Sequence, residues 1–283
     1  MGNGVYRKMN LIGEIGINHN GDLNTAKMLI DIALLSGFDY VKFQKREPAL
    51  CVPDHQKDKP KETPWGTMTY LQYKKRIEFG LREYLKIQDY IDRRNNELGT
   101  NLKWFASVWD FDSARFMSDF TDMVKIPSAI INNLSLLSLC REKFKTVLIS
   151  TGMSTEDEIE NAIVIGEPDV IFHTNSCYPS PIEELNLNYI KWLKNKYDVE
   201  IGYSGHEWGL STTYATVGMG VDWIERHITL DHNLWGSDQK SSVDPVGCFK
   251  FVRTIRDIEK AMGEIGERKV LKSELAKKDS LRI

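Results

Sequence analysis

The sequence predicts an α/β protein, a single (β/α)8 TIM barrel, on three observations. Short apolar runs alternate with amphipathic stretches along the whole chain, no hairpin signal interrupts them, and the unusual polar residues fall at the ends of the proposed strands. A length of 283 residues suits one such barrel, which runs to about 250 residues as a single unit.

The proposed strands are Leu11–Ile17, Tyr40–Gln44, Lys103–Val108, Asp122–Ile126, Thr146–Ser150, Asp169–Thr174, Glu200–Tyr203 and Asp222–Ile228. Each is short, rich in β-branched or aromatic residues, and followed by a segment with helical spacing. In Leu23–Ser36 the residues Leu23, Ala26, Leu29, Ile30, Ala33 and Leu34 mark one face, and Gly37 ends the helix. Another helix start is signalled at Ser154 to Glu158, where a hydroxyl precedes acidic first-turn residues. An open doubly wound sheet passes the same periodicity test. The barrel is preferred because Glu14, Lys42, Ser107, Lys125, Ser150, Ser204, His206, Glu225 and His227 all lie late in, or just after, a strand. In a barrel those ends converge on one mouth, whereas an open sheet spreads them along an edge.

One connection is long. Arg46 to Phe79 carries Pro48, Pro53, Pro60 and Pro64 with Trp65 and Tyr70 and lacks a strand pattern, so it is expected as a lid or interface at the mouth. The barrel is expected over residues 1–266, with 267–283 as a short charged tail.

Composition narrows the function. Net charge is −3 and the pI is about 6.1, which gives no footprint for nucleic acid or a membrane surface. Basic clusters at Lys57–Lys61 and Lys74–Arg76 have acidic neighbours and read as solvated surface. Cys51, Cys140, Cys177 and Cys248 are scattered without metal-type spacing and read as reduced thiols of a cytoplasmic protein. The first ten residues lack a signal-peptide core, Tyr6 breaks a myristoylation motif, and no apolar run reaches membrane-spanning length.

Two clusters carry chemistry. His206 and His227, at the ends of consecutive strands, could share a metal through neutral imidazole nitrogens, with Glu225 and Asp238 to complete or support an open site. Imidazole and carboxylate together suit Mn, Fe or Zn. Lys42 and Lys125 sit inside apolar strands, where a lysine needs an anionic partner, so the pair looks like a site for a dianionic phosphate-bearing acid. A Schiff-base role for Lys125 is the alternative chemistry. Ser150, Thr151 and Gly152 end a strand before a helix and offer anion contacts.

Several segments together resemble the sialic acid synthase family. They are Glu14 to Asp22, Val41 to Gln44, Ile149 to Met153, Tyr178 to Pro181, Ile201 to His206, Glu225 to His227, and Gly236 to Asp238 followed by Asp244-Pro245. The resemblance implies that phosphoenolpyruvate and an open-chain amino sugar or related aldose are joined into a 3-deoxy-2-keto acid, with loss of phosphate. By the same resemblance Lys42, Lys125, Ser128, Ser150 and Ser204 would hold phosphoenolpyruvate, with Ser107 and Ser176 in the substrate-binding set. His206 and His227 would ligate Mn or Mg, Glu14, Tyr178 and Asp238 would face the sugar, and Glu225 would sit beside the metal. A homo-oligomer is expected.

The departures from that pattern concern the sugar. Ile130 stands where the family has a glutamate, Ser176 where many members have Asn, and Val108 in place of a hydroxyl residue that touches phosphoenolpyruvate. Full-length members also carry a C-terminal antifreeze-like domain that lends an arginine to the sugar site, and this chain is read as the barrel alone. Lys125-Ile126-Pro127-Ser128 leans towards the related 3-deoxy-octulosonate phosphate synthases. Two other readings remain: a class I aldolase using Lys125, and a barrel that binds a sugar acid without catalysis.

Overall fold

The computed structural model describes residues 8–263 and 266–282. Eight strands form the barrel: β1 (Asn10–Gly16), β2 (Tyr40–Lys45), β3 (Lys103–Val108), β4 (Met123–Ile126), β5 (Thr146–Ser150), β6 (Val170–Thr174), β7 (Glu200–Gly205) and β8 (Trp223–His227). Every pairing is parallel and the order β1-β8-β7-β6-β5-β4-β3-β2 closes on itself. A helix follows each strand: α1 (Leu23–Ser36), α2 (Leu81–Leu98), α3 (Phe111–Ser118), α4 (Leu134–Lys143), α5 (Glu156–Gly166), α6 (Tyr189–Lys196), α7 (Ser211–Gly218) and α8 (Pro245–Met262).

Local signals set these boundaries. Asp22 caps α1 by accepting from the N–H groups of Asn24 and Thr25, and Gly37 at φ +88° ends it in the left-handed conformation. Thr155 and Glu158 form the reciprocal capping box at the start of α5.

Strand pleat sorts the side chains into two cores. Outward residues such as Val41, Phe43, Val124 and Ile149 pack against the helices in the main core. Inward residues at the amino ends of the strands, Ile12, Phe105, Leu148, Val170, Phe172 and Trp223, form a separate apolar plug inside the barrel. Gly202 belongs to this plug because a Cβ there would stand 2.5 Å from the Phe172 ring. One step along each strand from the plug, the inward positions turn polar, and these open on the mouth.

The long segment after β2 is more structured than a lid without secondary structure. It contains short helices at Pro48–Cys51 and Asp54–Lys57, a two-stranded hairpin of Pro60–Lys61 with Met68–Thr69, and helix Tyr70–Ile77 started by a Thr69–Gln72 capping box. The insert is tied down at its roots. Lys45 pairs with Glu78 at 3.0 Å, and Asp110 accepts from the Glu47 N–H at 2.7 Å. Tyr73 and Ile77 pack with Ile17 in a small satellite core. Beyond Gly266, where a charged tail was expected, helix Lys272–Leu281 forms, and none of its residues is buried. All four cysteines are free thiols. Among the described residues no helix is long and apolar enough to cross a membrane.

The tight plug predicts that Gly202→Ala destabilises the barrel by about 1–3 kcal/mol, the usual cost of overpacking a core. Urea unfolding followed by circular dichroism checks this: the midpoint should fall with an unchanged slope, and an unmoved midpoint would mean that Phe172 has room to yield.

Candidate active site

A cavity of about 170 Å³ opens at the carboxyl end of the barrel. Its floor is the polar layer above the apolar plug, and strand register decides which residues meet there. Glu14 on β1 lies beside Lys42 on one neighbour and His227 on the other. Ser107 pairs with Lys125, Gln44 with Ser107, and Ser204 with Glu225 and Thr174. The register of β1 shifts between Glu14 and Gly16. Gly16 turns there at φ +53°, and a Cβ on it would press on Glu14, Gln44 and His227 at 3.0–3.2 Å.

Four charged side chains fill the floor, each at most 4% exposed. Lys42 Nζ lies 2.8 Å from Glu14 Oε2 and 3.6 Å from Glu225 Oε1, while Lys125 Nζ lies 3.0 Å from Glu225 Oε2. Glu14 also accepts from Gln44 Nε2 at 3.1 Å, and Glu225 from Ser204 Oγ at 3.1 Å. Burial works against the Glu225 carboxylate, but Lys125 and Lys42 outweigh it and hold the group well below the usual carboxylate range. Burial likewise opposes the Lys42 ammonium, yet Glu14 and Glu225 raise it above the usual lysine value. Lys125 differs: burial, with Lys42 as a like-charged neighbour, lowers it despite Glu225. Its ammonium also sits over the Phe172 ring, 3.8 Å from the centroid.

The two histidines stand beside this quartet with ring centroids 5.5 Å apart. His206 Nδ1 donates to the Asn175 carbonyl at 2.7 Å, which places the proton on Nδ1 and leaves the Nε2 lone pair free. Burial, with His227 beside it, pulls His206 down to about 3, so the ring is neutral. His227 Nδ1 is buried and has no hydrogen-bond partner. A neutral imidazole with a free lone pair next to an orphaned ring nitrogen is a donor set that fits a divalent ion. Among the described residues no group of three or more His, Cys, Asp or Glu side chains could hold a metal. An ion here would therefore rest on two imidazoles, with its other positions left to water or substrate.

The cavity brings together nearly all the residues singled out in the sequence. Glu14, Lys42, Ser107, Lys125, Ser128 and Ser150 line it, as do Ser176, Tyr178, Ser204, His206, Glu225 and His227. The Tyr178 ring packs on His206 with centroids 4.1 Å apart. Asp238 is the exception. It precedes the short turn Gln239–Ser241 without a side-chain capping bond, accepts from the Ser237 hydroxyl at 2.5 Å, and is not part of the cavity lining. Val108 is also corrected: it is fully buried in the outer core, facing away from any ligand, and Ser107 before it supplies the hydroxyl. Ile130 packs against the same core, so no polar group replaces the family glutamate at that position.

Sequence reasoning left Gln44, Trp109 and Thr174 out of the site. Gln44 was legible by alternation, two residues after Lys42 on the same face. Thr174, whose hydroxyl is 3.3 Å from His206 Nδ1, was legible as the last residue of β6. Trp109 lies beyond the end of β3 and gave no periodic signal.

The comparisons with known proteins agree with this geometry. The chain is 34% identical over 278 residues to an N,N'-diacetyllegionaminic acid synthase of Campylobacter jejuni, covering 95% of this chain and 81% of that protein. It is 33% identical over 261 residues to the human N-acetylneuraminate-9-phosphate synthase, covering 89% of this chain and 71% of that protein. Among solved structures, the N-acetylneuraminic acid (sialic acid) synthetase of Leptospira borgpetersenii in complex with citrate superposes with a TM-score of 0.83 at 28% identity, covering 100% of this chain and 97% of that one. Residues 29–267 match the NeuB family, and with the closed barrel and its polar mouth in place, this chain belongs to that family of synthases.

Proposed function

We propose that the chain condenses phosphoenolpyruvate with an open-chain aldose, giving a 3-deoxy-2-keto acid and inorganic phosphate, with Mn or Mg held by His206 and His227. The observation that carries the proposal is the joint opening of Lys42, Lys125 and the serine hydroxyls onto one cavity with the pair His206 and His227. The two ammonium groups and the hydroxyls of Ser107, Ser128, Ser150 and Ser204 would hold the phosphate and carboxylate of phosphoenolpyruvate. Ser128 Oγ is already fixed by the Gly152 N–H at 3.0 Å. A divalent ion, when bound, supplies Lewis acidity towards the acceptor aldehyde.

The bond-forming step joins the enol carbon to the aldehyde carbon. A water then adds to the carbon that carries the phosphate, its released proton ends on the former aldehyde oxygen, and the carbon–oxygen bond to phosphate breaks as the new hydroxyl gives its proton to the departing phosphate and becomes the ketone. Glu225, ionised between two lysines, and Glu14, bonded to Gln44, are the carboxylates placed to take up the proton of that water. Tyr178, packed over His206 at the cavity edge, would face the sugar. Asp238, outside the lining, would reach it only from the rim. Relatives at 34% and 33% identity are named for different sugar acids, so the acceptor varies among the proteins this chain resembles.

One observation favours a second chemistry. Burial and Lys42 depress Lys125, which favours the neutral amine that a Schiff base requires. Borohydride treatment in the presence of pyruvate separates the two: a covalent adduct on Lys125 supports the aldolase, and no adduct supports the condensation.

For the anion pocket, Lys42→Ala and Lys125→Ala should each weaken phosphoenolpyruvate binding by about 2–5 kcal/mol, as expected when one partner of a buried charge contact is removed. Titration calorimetry with unchanged affinity in both variants would remove the pocket assignment. For the metal, phosphate release from phosphoenolpyruvate and an aldose should stop with chelator and return with Mn. His206→Ala and His227→Ala should abolish that return while circular dichroism stays native. Full turnover in chelator would remove the metal from the scheme.

A further inference from the structure

On the helix side of β7 and β8 lies a second buried ion pair, with no part in the proposed condensation. Glu207 and Arg226 are each at most 1% exposed, and Arg226 Nη1 meets Glu207 Oε1 at 3.0 Å. Neither residue belongs to the cavity lining, so neither is placed to touch a substrate held there. Their neighbours in the chain are the two histidines, His206 before Glu207 and His227 after Arg226, and both histidines do line the cavity.

The sheet alone leaves His206 loosely related to β8. The last register pair between β7 and β8 is Gly205 with Arg226, so His206 lies one residue past the ladder. Towards β6 it is held by its carbonyl, which accepts from the Ser180 N–H at 3.1 Å, and by the contact of Nδ1 with the Asn175 carbonyl. Towards β8 the tie is Arg226. Its Nη2 donates to the Glu207 carbonyl at 2.7 Å and its Nη1 to the Gly209 carbonyl at 2.8 Å, so the guanidinium grips the backbone that follows His206. The Glu207 carboxylate keeps that fork in place. Its Oε1 accepts from Thr212, Thr213 and Arg226, and its Oε2 from the Tyr203 hydroxyl at 3.0 Å. Gly205 gives it the room, since a Cβ there would stand 2.6 Å from Glu207 Oε2.

Packing does not call for such a pair. The outward neighbours along the same strand lines, Ile201, Tyr203, Ile224 and Ile228, belong to the outer core. Two hydrophobic side chains of similar volume commonly stabilise a fold as well as a buried ion pair does, or better. What charge and a planar fork add is direction: a guanidinium bonded to two carbonyls and a carboxylate permits one arrangement of the segments it joins.

We infer that Glu207 and Arg226 are positioning residues for the histidine pair, fixing the His206 segment against β8 so that both imidazoles reach one divalent ion. The inference rests on the proposal that His206 and His227 hold Mn or Mg.

Mn uptake by the full chain, without substrate, is followed by electron paramagnetic resonance as the signal of free Mn disappears, and urea unfolding gives the stability of the same samples. Arg226→Lys keeps the charge and loses the fork, and it should weaken Mn binding by about tenfold or more, the scale on which groups behind metal ligands act. Glu207→Leu combined with Arg226→Met removes both charges. Its urea midpoint should return to that of wild type or above while Mn binding stays weak, whereas a purely structural pair would recover both together. Phosphoenolpyruvate affinity without metal should stay unchanged, and a loss in step with Mn would make the pair structural and overturn the inference. Wild-type Mn affinity in the double variant, or in folded Arg226→Lys, also overturns it. Where neither variant folds, Glu207→Gln, which keeps the size and loses the charge, is judged by the same Mn and phosphoenolpyruvate affinities. If wild type takes up no Mn, the metal proposal fails and the imidazole nitrogen resonances of histidine-labelled protein decide the positioning separately. Shifts of His206 and His227 in Arg226→Lys with the other histidines unmoved support it, and unmoved resonances overturn it.

Discussion

Lys125 and Glu225 lie across the barrel from one another, on β4 and β8, four strands apart in the closed order, and meet at 3.0 Å over the apolar plug. The rest of the site depends on this contact. Each charge would be costly alone so close to Ile12, Phe105 and Phe172, and each is tolerable because the opposite one is there. Lys42 and Glu14 extend the pair to a quartet with two positive and two negative members. Strand register places all four in one layer, so closing the barrel and assembling the site are the same event. A strand slipped by one residue would turn Lys42 or Glu225 into the helix layer, where no partner waits.

Much of this was legible in the sequence because a barrel converts position along a strand into depth. In Val41-Lys42-Phe43-Gln44 the alternation of apolar and polar residues gives one outward and one inward set, and the inward set is the site. Glu225-Arg226-His227 reads the same way, with Arg226 between two cavity residues and pointing outwards. What could not be read is where Arg226 finds its partner: Glu207, nineteen residues earlier in the chain, accepts from its Nη1 at 3.0 Å in a network closed by Thr213. That contact depends on how the loop after β7 folds back against β8, and that loop has no period to read.

Loops account for the other failures as well. Asp238 belongs to a loop whose turn geometry, set by hydrogen bonds among Ser237, Asp238 and Ser242, decides whether its carboxylate reaches the cavity. Trp109 and Arg46 lie just past the ends of β3 and β2, where the alternation rule stops applying. The hydrogen bond that orients His206 was hidden for a different reason. Its proton is placed by a backbone carbonyl, that of Asn175, and the identity of the side chain at that position says nothing about it.

The distribution of charge divides the labour between barrel and insert. In the floor the cations are neutralised by their neighbours, so substituting any one leaves another buried charge unpaired and threatens the fold together with the function. The insert is anchored separately, through Lys45–Glu78, Asp110 and the Tyr73–Ile77 contacts, and among the described residues it touches the floor only through Arg46, which donates to the Gln44 side chain bonded to Glu14. Residues there can change without unbalancing the floor. Lys42, Lys125, Glu225, His206 and His227 stand on strands or at their ends, and of the departures from the family pattern Ile130 lies in a short turn and Ser176, which borders the cavity, in a loop. A residue held by opposite charge across the barrel has few permitted replacements, and a residue in a turn has many.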